Sequence, residues 1–317
     1  MTIVTASAPG KVVLTGEYAV LDGSPAVSMA INRRAVATLT PTDGNEVAVR
    51  SIGLAGRYDT NLFDCVVKAT NLVRTDEFSF ALDTGAFVDT ASEVKLGIGS
   101  SAALTVALVA ALLAGESDNV DVAEIAAIAH RTHRDFQQGV GSGVDIATSV
   151  AGGLIEFSMP ENRVTRLTWP DGLRFALLWS GVVASTRERI DRLNAGDMKH
   201  SRARLSEEAT ACAGAWKSAE ADAVIVACRN YVDALMTFSV DHELGIFEAG
   251  HQALAEHALA EGLVYKPCGA GGGDVGIAMA TDSAQLDAFV TRAEAAGFKQ
   301  LDIEPDGSGV QQTRESD

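Results

Sequence analysis

"KLGIGSSAALTVAL", residues 95 to 108, joins a glycine-rich turn to an alanine-rich apolar run. A turn that feeds straight into a helix leaves backbone N–H groups aimed outward, and the helix dipole adds partial positive charge there. Ser100 and Ser101 add hydroxyls suited to a phosphate or to a magnesium ion riding on one. The stretch also matches G-x-G-x-x-A at Gly97, Gly99 and Ala102, a dinucleotide-binding variant. That variant needs a buried apolar strand before the first glycine, where this chain has Glu93 and Lys95. No Gly-Lys-Ser/Thr follows, so the loop is not a Walker A motif. Read alone, the segment is either an anion site or a capped core helix behind a glycine turn.

Three further segments carry chemistry-bearing residues. In "GVGSGVDIATSVAGG" (139–153) Asp145 is the only charged residue. A lone carboxylate among small residues can orient or deprotonate a hydroxyl or hold a metal; its ordinary alternative is an N-cap for the helix that follows. "VYKPCGAGGGDVGIAMA" (264–280) packs five glycines between Gly269 and Gly276, with Asp274 among them. That is more glycine than a turn into a sheet needs, and it fits backbone pressed close to a ligand. "SAPGKVVLTGEYAVLDGSPAV" (7–27) sets Lys11 on a strand after Pro9-Gly10, then Glu17 and Tyr18 in a turn. A strand lysine is ordinarily a surface residue.

The chain has 317 residues, 47% of them hydrophobic, enough for one large domain or two ordinary ones. Its longest apolar stretches are alanine-rich and shorter than a membrane span, so no transmembrane helix is expected. The start lacks the basic region of a signal peptide. A net charge of −17 argues against nucleic acid or an anionic membrane as partner. An anionic substrate then requires Lys11, Lys95, Lys266 and some arginines to converge locally. The four cysteines show neither CxxC nor metal register and read as buried or incidental thiols of a cytoplasmic protein. His130 and His133 lie three apart without an HExxH around them, so no zinc site is expected.

Along the chain, strands are expected in the first forty residues and at 46–52 and 78–84, with a helix between these two. A helix from Ser100 should end at Gly115, and Asp118 or Asn119 should cap a second. A polar, turn-rich stretch from Pro160 to Gly172 marks a domain boundary, giving domains 1–170 and 171–317. The second half reads as a strand, helices over 200–260, the glycine stretch, then strand, helix and strand, ending in a loose tail. Sheet and helix mix in both halves, which makes the fold class α+β.

The order "APGKVVLTGEYAVLDG", "KLGIGSSAAL", "GSGVDIA", "KPCGAGGGDVGIAM" resembles the GHMP kinase superfamily and includes all three of its motifs. Within it, "GEYAVL" (16–21), "GSGVD" (141–145), "GAGGGD" (269–274) and "ASTRERI" (184–190) are most similar to phosphomevalonate kinases. The resemblance implies a two-domain GHMP kinase fold: an N-terminal domain like ribosomal protein S5 domain 2 and a ferredoxin-like C-terminal domain, with ATP in the cleft between. It implies ATP-dependent phosphorylation of (R)-5-phosphomevalonate. By the same resemblance Lys95, Gly97, Gly99, Ser100, Ser101 and Ala102 bind ATP, Ser101 reaches Mg²⁺, and Asp145 and Lys11 are catalytic. Lys11, Glu17, Tyr18, Ser142, Gly143, Asp145, Ser185, Gly271, Gly272, Gly273 and Asp274 then surround the phosphorylated small-molecule substrate. Asp274 is expected to face the acceptor or cap the following backbone.

The chain departs from the pattern at the magnesium ligand, and its 317 residues are few for a phosphomevalonate kinase. Many mevalonate kinases put a magnesium-binding glutamate before the catalytic aspartate, where this chain reads "HRTHRDFQQ". Asp135, Gln137 or a serine with ATP is left to take its place. Arg131, Arg134, Arg187, Lys199 and Lys266 are the basic candidates for the acceptor phosphate, and a homodimer is left open. The alternatives are a mevalonate kinase, a mevalonate 3-kinase, a diphosphomevalonate decarboxylase relative, a non-catalytic ATP and metabolite sensor and, last, an NAD-dependent dehydrogenase.

Overall fold

The alternating opening of the chain forms two long strands, β1 (Thr2–Thr15) and β2 (Ala26–Pro41), joined through a short 3-10 turn at Ala19–Asp22. The computed structural model describes residues 2–42, 48–52, 59–70, 78–117, 119–139, 141–184, 189, 193 and 200–316. It divides into two compact units, and both strands run from one into the other. Unit 1 is Met1–Lys11, Met29–Gly153 and Glu304–Asp317; unit 2 is Val12–Ser28 and Leu154–Ile303.

The expected division at 160–172 is therefore corrected. The chain leaves unit 1 at Gly153, and the polar stretch lies within unit 2. Its first part turns the hairpin of β7 (Leu154–Ser158) and β8 (Arg163–Leu167). Its second part is anchored by Trp169, whose ring lies 5.4 Å from that of Trp216.

In unit 1 the strand order is β13-β1-β2-β4-β3, with β3 at Ala48–Ile52, β4 at Phe78–Asp83 and β13 at Gln311–Ser316. Val4, Ala6 and Ala8 on β1, Ala35, Ala37 and Leu39 on β2, and Phe80 and Leu82 on β4 are buried at every second position. That period of two gives the sheet one apolar face. Helices α1 (Asp59–Thr70), α2 (Ser100–Glu116), α3 (Val122–Phe136) and α4 (Val144–Ala151) pack with one another, and α2 meets β4 and β13. Residues 102–112 of α2 are buried all round its circumference, as befits a helix enclosed in the core. It runs one residue past Gly115, to a cap at Ser117. The cap of α3 is Asp121, accepting from Ala123 N at 2.9 Å, in place of the expected Asn119; Asp118 lies outside the described residues.

The expected loose tail is also corrected, since β13 pairs antiparallel with β1, Val4 opposite Arg314. An edge strand facing solvent needs no apolar face, and so none shows in its sequence. Arg314 donates to the carbonyls of Ala114 and Ser117, groups that the end of α2 leaves without helical partners. Arg34 closes the segment from inside, reaching Asp306 at 2.5 Å and Gly309 O at 2.7 Å.

In unit 2, β9 (Arg174–Trp179), β10 (Val264–Pro267), β11 (Val275–Ala280) and β12 (Lys299–Leu301) form a sheet of order β10-β11-β9-β12, all pairs antiparallel. Helices α5 (His200–Ser218), α6 (Ala221–Asp241) and α7 (His251–Glu261) lie between β9 and β10, and α8 (Ser283–Ala295) between β11 and β12. This is the split β-α-β-β-α-β arrangement of ferredoxin-like domains, as expected. The apolar run 275–280 is buried at all six positions. Among the described helices α6 is long and apolar enough to cross a bilayer, with 21 residues and a mean hydropathy of 1.3. Its Val224, Tyr231, Leu235 and Phe238 are buried, together with Trp216 of its neighbour α5. Cys212, Cys228 and Cys268 are buried thiols outside any disulfide, and Cys65 is half-buried.

Candidate functional site

Unit 1 brings two helix N-termini to one lysine. Lys11 follows Gly10 on β1, and its N–H donates to Ile98 O at 2.9 Å. Gly10 has no room for a side chain: a Cβ there would lie 2.6 Å from both Ile98 O and Phe87 Cε1. The strand and the glycine turn are thus sewn together. Gly99 is the N-cap of α2 at φ +87°, in left-handed backbone that favours glycine. A Cβ at Gly99 would meet the Lys11 stem, 3.1 Å from Cγ and 3.2 Å from Cε. Beyond that stem, Lys11 Nζ lies 3.5 Å from Asp145 Oδ2, with the two side chains 11% and 33% exposed.

Asp145 is the second residue of α4, whose N-cap is Gly143. The plain capping role considered for Asp145 is therefore not its role, and its carboxylate pairs with Lys11 instead. Ser142 Oγ accepts from Val144 N at 3.4 Å, inside the same turn. Ser100 and Ser101 open α2 and are half-buried, Gly97 holds φ +74° in the preceding turn, and Ala102 is buried. Lys95 sits opposite Val88 in a two-residue ladder of β5 (Val88–Asp89) and β6 (Val94–Lys95). A strand that short is no dinucleotide-fold strand.

The chain pattern noted His130 and His133 without giving them a task. Ser101 Oγ lies 3.0 Å from His133 Nε2. His133 is only 5% exposed. Burial pulls its pKa below the ordinary histidine value, Asp145 pushes it up, and Lys11 and His130 pull it down. One turn earlier, His130 packs against the α-carbon of Gly143. Its pKa is also lowered, first by burial and then by Arg134, against a raising hydrogen bond with the Ser142 backbone. Consecutive turns of α3 thus touch the starts of α2 and α4. The buried face of α3, with Ile125, Ala129, Thr132 and His133, carried this signal in its spacing.

A second cluster lies within unit 2. Glu17 is 5% exposed. Its Oε1 takes the Lys266 ammonium and, at 3.3 Å, the Gly269 N–H; its Oε2 accepts from Tyr231 Oη at 2.8 Å. Lys266 is fully buried with that carboxylate as partner, which takes it off the roster of cations for an acceptor phosphate. Burial lowers the Lys266 pKa, but Glu17 and Cys268 outweigh it and leave the value raised.

Tyr18 donates to Ala270 O at 2.6 Å. Its pKa is raised by burial, against a lowering effect of Arg189 and with a raising one from Glu17. The crowding of glycines has a packing cause inside this unit. A Cβ at Gly272, at φ +72°, would overlap the Arg189 guanidinium, and one at Gly273 would lie 2.6 Å from Val182 O. Gly271 is packed as closely on Ile246. Asp274 caps backbone: its Oδ1 accepts from Ala184 N at 3.2 Å, and its N–H donates to Val182 O. The capped segment precedes the aspartate in the chain, where the expectation had it following. Ser185, Arg187 and Lys199 lie outside the described residues. Arg131 donates to Ala69 O at 3.4 Å, Arg134 is exposed, and so is Asp135.

Among the described residues no group of three or more His, Cys, Asp or Glu is arranged to hold a metal ion. At the starts of α2 and α4 the hard oxygen donors are the Ser101 hydroxyl, 3.0 Å from His133 Nε2, and the Asp145 carboxylate, 3.5 Å from Lys11 Nζ. Two such donors fit magnesium, which usually keeps several waters and completes its shell on substrate phosphates.

Residues 62–153 match the family of GHMP kinases N terminal domains. The chain is 27% identical to the phosphomevalonate kinase of Streptomyces sp. (strain CL190), over 96% of this chain and 97% of that one. It is 35% identical to the mevalonate kinase of Methanothermobacter thermautotrophicus, over 48% of this chain and 49% of that one. Its fold superposes on Streptococcus pneumoniae phosphomevalonate kinase in complex with phosphomevalonate and AMPPNP with a TM-score of 0.80. That comparison covers 95% of this chain and 99% of the other at 22% identity.

Proposed function

We propose that this chain, a member of the GHMP kinase superfamily, transfers the γ-phosphoryl group of ATP to the phosphate of (R)-5-phosphomevalonate, releasing ADP and the 5-diphosphate. The observation that supports kinase chemistry most is the meeting of Lys11 and Asp145 at the glycine-led starts of α2 and α4. Phosphoryl transfer asks for in-line positioning and charge neutralisation more than for covalent catalysis. The turn Gly97–Ser101 offers backbone N–H groups and two hydroxyls to the ATP phosphates, and Lys95 stands at its start. Lys11 offsets the charge that gathers as two phosphates approach. An acceptor phosphate is already largely ionised at neutral pH, so Asp145 need not take its proton. Asp145 orients Lys11 and the acceptor. Magnesium, held by Ser101 and Asp145, would neutralise β- and γ-phosphate charge.

Acceptor choice rests on likeness along the whole chain to a phosphomevalonate kinase. Tyr18, Ser142, Gly143, Ser185 and residues 271–274 are proposed as acceptor-binding residues, and the enzyme acts in the cytoplasm. Glu17 serves the acceptor through its hold on Gly269. The second reading, a mevalonate kinase, is favoured by the higher identity over half the chain. ADP-release assays with mevalonate, 5-phosphomevalonate and 5-diphosphomevalonate separate the two. The highest kcat/KM is expected on 5-phosphomevalonate. Turnover of mevalonate with none of 5-phosphomevalonate would overturn the choice.

A further inference from the structure

We infer that His133 is a positioning residue, holding the Ser101 hydroxyl so that its lone pairs face a nucleotide-bound cation. The inference rests on the nucleotide reading above. Ser101 lies in the first turn of α2, where residue 97 is outside the helix and offers no helical carbonyl for the hydroxyl to bond back to. Thr105, one turn on, does bond back, donating to Ser101 O at 2.8 Å. The Ser101 hydroxyl takes the imidazole of His133 instead, at 3.0 Å. A hydroxyl has one proton and two lone pairs. Given to Nε2, the proton points toward the buried ring and both lone pairs are left free to face a cation. The ring cannot wander, because it is 5% exposed and its helix is packed on both α2 and α4. A histidine so placed does for a metal-binding hydroxyl what outer-shell partners do for ligands in general, and losing such a partner costs about 10- to 100-fold in metal affinity.

The test is calorimetric titration of AMPPNP with magnesium and with EDTA, on wild type, H133L, H133Q, H133N, S101A and H133L/S101A. In H133L the tightening by magnesium should shrink by about tenfold, while magnesium-free affinity stays within about twofold. Gln, whose amide reaches to the Nε2 position, should restore most of it; Asn, which is shorter, should not. The double variant should bind no worse than S101A, since both changes remove one interaction. Retention of the wild-type ratio by folded H133L and H133N overturns the inference, as does multiplication of the two losses in the double variant. Should H133L fail to fold by circular dichroism, the Gln–Asn contrast decides, and equal ratios in the two count against it. Wild type that binds no nucleotide sinks the kinase reading itself, a different result from magnesium-dependent binding that the His133 variants keep.

Discussion

Replacing Lys266 by methionine removes the cation from a fully buried pair. Its Nζ meets Glu17, whose side chain is 3% exposed. After the change the carboxylate keeps only Tyr231 Oη at 2.8 Å and Gly269 N at 3.3 Å. Two neutral donors do not offset the desolvation of a full charge, and breaking one side of a buried pair costs about 3–5 kcal/mol. For a unit of this size that is a fall in Tm of roughly 6–20 °C. The paired variant E17Q/K266M leaves no net charge behind and should recover most of the loss, because exchanging a whole buried pair is often nearly neutral. Differential scanning fluorimetry and urea unfolding at pH 7 read both. The raised Lys266 pKa fixes the alkaline behaviour: the pair's stabilisation is present below the ordinary lysine value and is lost only as pH climbs through the folded one. A K266M protein within about 2 °C of wild type, or a double variant less stable than K266M, would refute the reasoning.

Asp145→Asn should lower turnover at least about a hundredfold while magnesium-free AMPPNP affinity changes little; near-normal turnover removes Asp145 from the chemistry. Gly99→Ala sets a Cβ against the Lys11 stem in left-handed backbone. It should cost about 1–2 kcal/mol in stability and, by displacing Lys11 from Asp145, depress kcat more than tenfold; unchanged kinetics would contradict the close fit. His251 is buried between Tyr265 Oη at 2.8 Å and Gly273 O at 3.1 Å, and burial takes its pKa down to about 4. Between pH 6.5 and 4 the unfolded chain therefore binds the extra proton, so stability falls with pH by up to roughly 3 kcal/mol. Urea midpoints of His251→Gln should fall less steeply over that range, and equal slopes would rule the effect out.

The glycine turn before α2, the aspartate after Gly143 and, in the second half, β9, the helices of 200–260, β11, α8 and β12 could be read locally, because each depends on residues a few positions apart, whereas β10 passed as the head of the glycine stretch. Period-two burial on β1, β2 and β4 follows from alternation in the same way. The two-unit division could not be read so, since β1 and β2 each cross from one unit to the other with no change of composition at Lys11 or Ser28. The polar run at 160–172 marks a hairpin turn and a loop, and such runs look alike at boundaries and at turns. The pairing of 311–316 with β1 was hidden because an edge strand needs no apolar stripe. Lys266 looked like a phosphate-binding cation until Glu17, 249 residues away in the chain, was found against it. His133 was visible as a residue but not as a partner, since Ser101 lies 32 positions earlier.

Phosphorus NMR of the purified protein with ATP, magnesium and (R)-5-phosphomevalonate bears most directly on the proposed reaction. The phosphomonoester signal should give way to the coupled pair of a diphosphate monoester, one equivalent of ADP appearing for each acceptor consumed. An unchanged phosphomonoester signal, with mevalonate converted to a phosphomonoester under the same conditions, would contradict it.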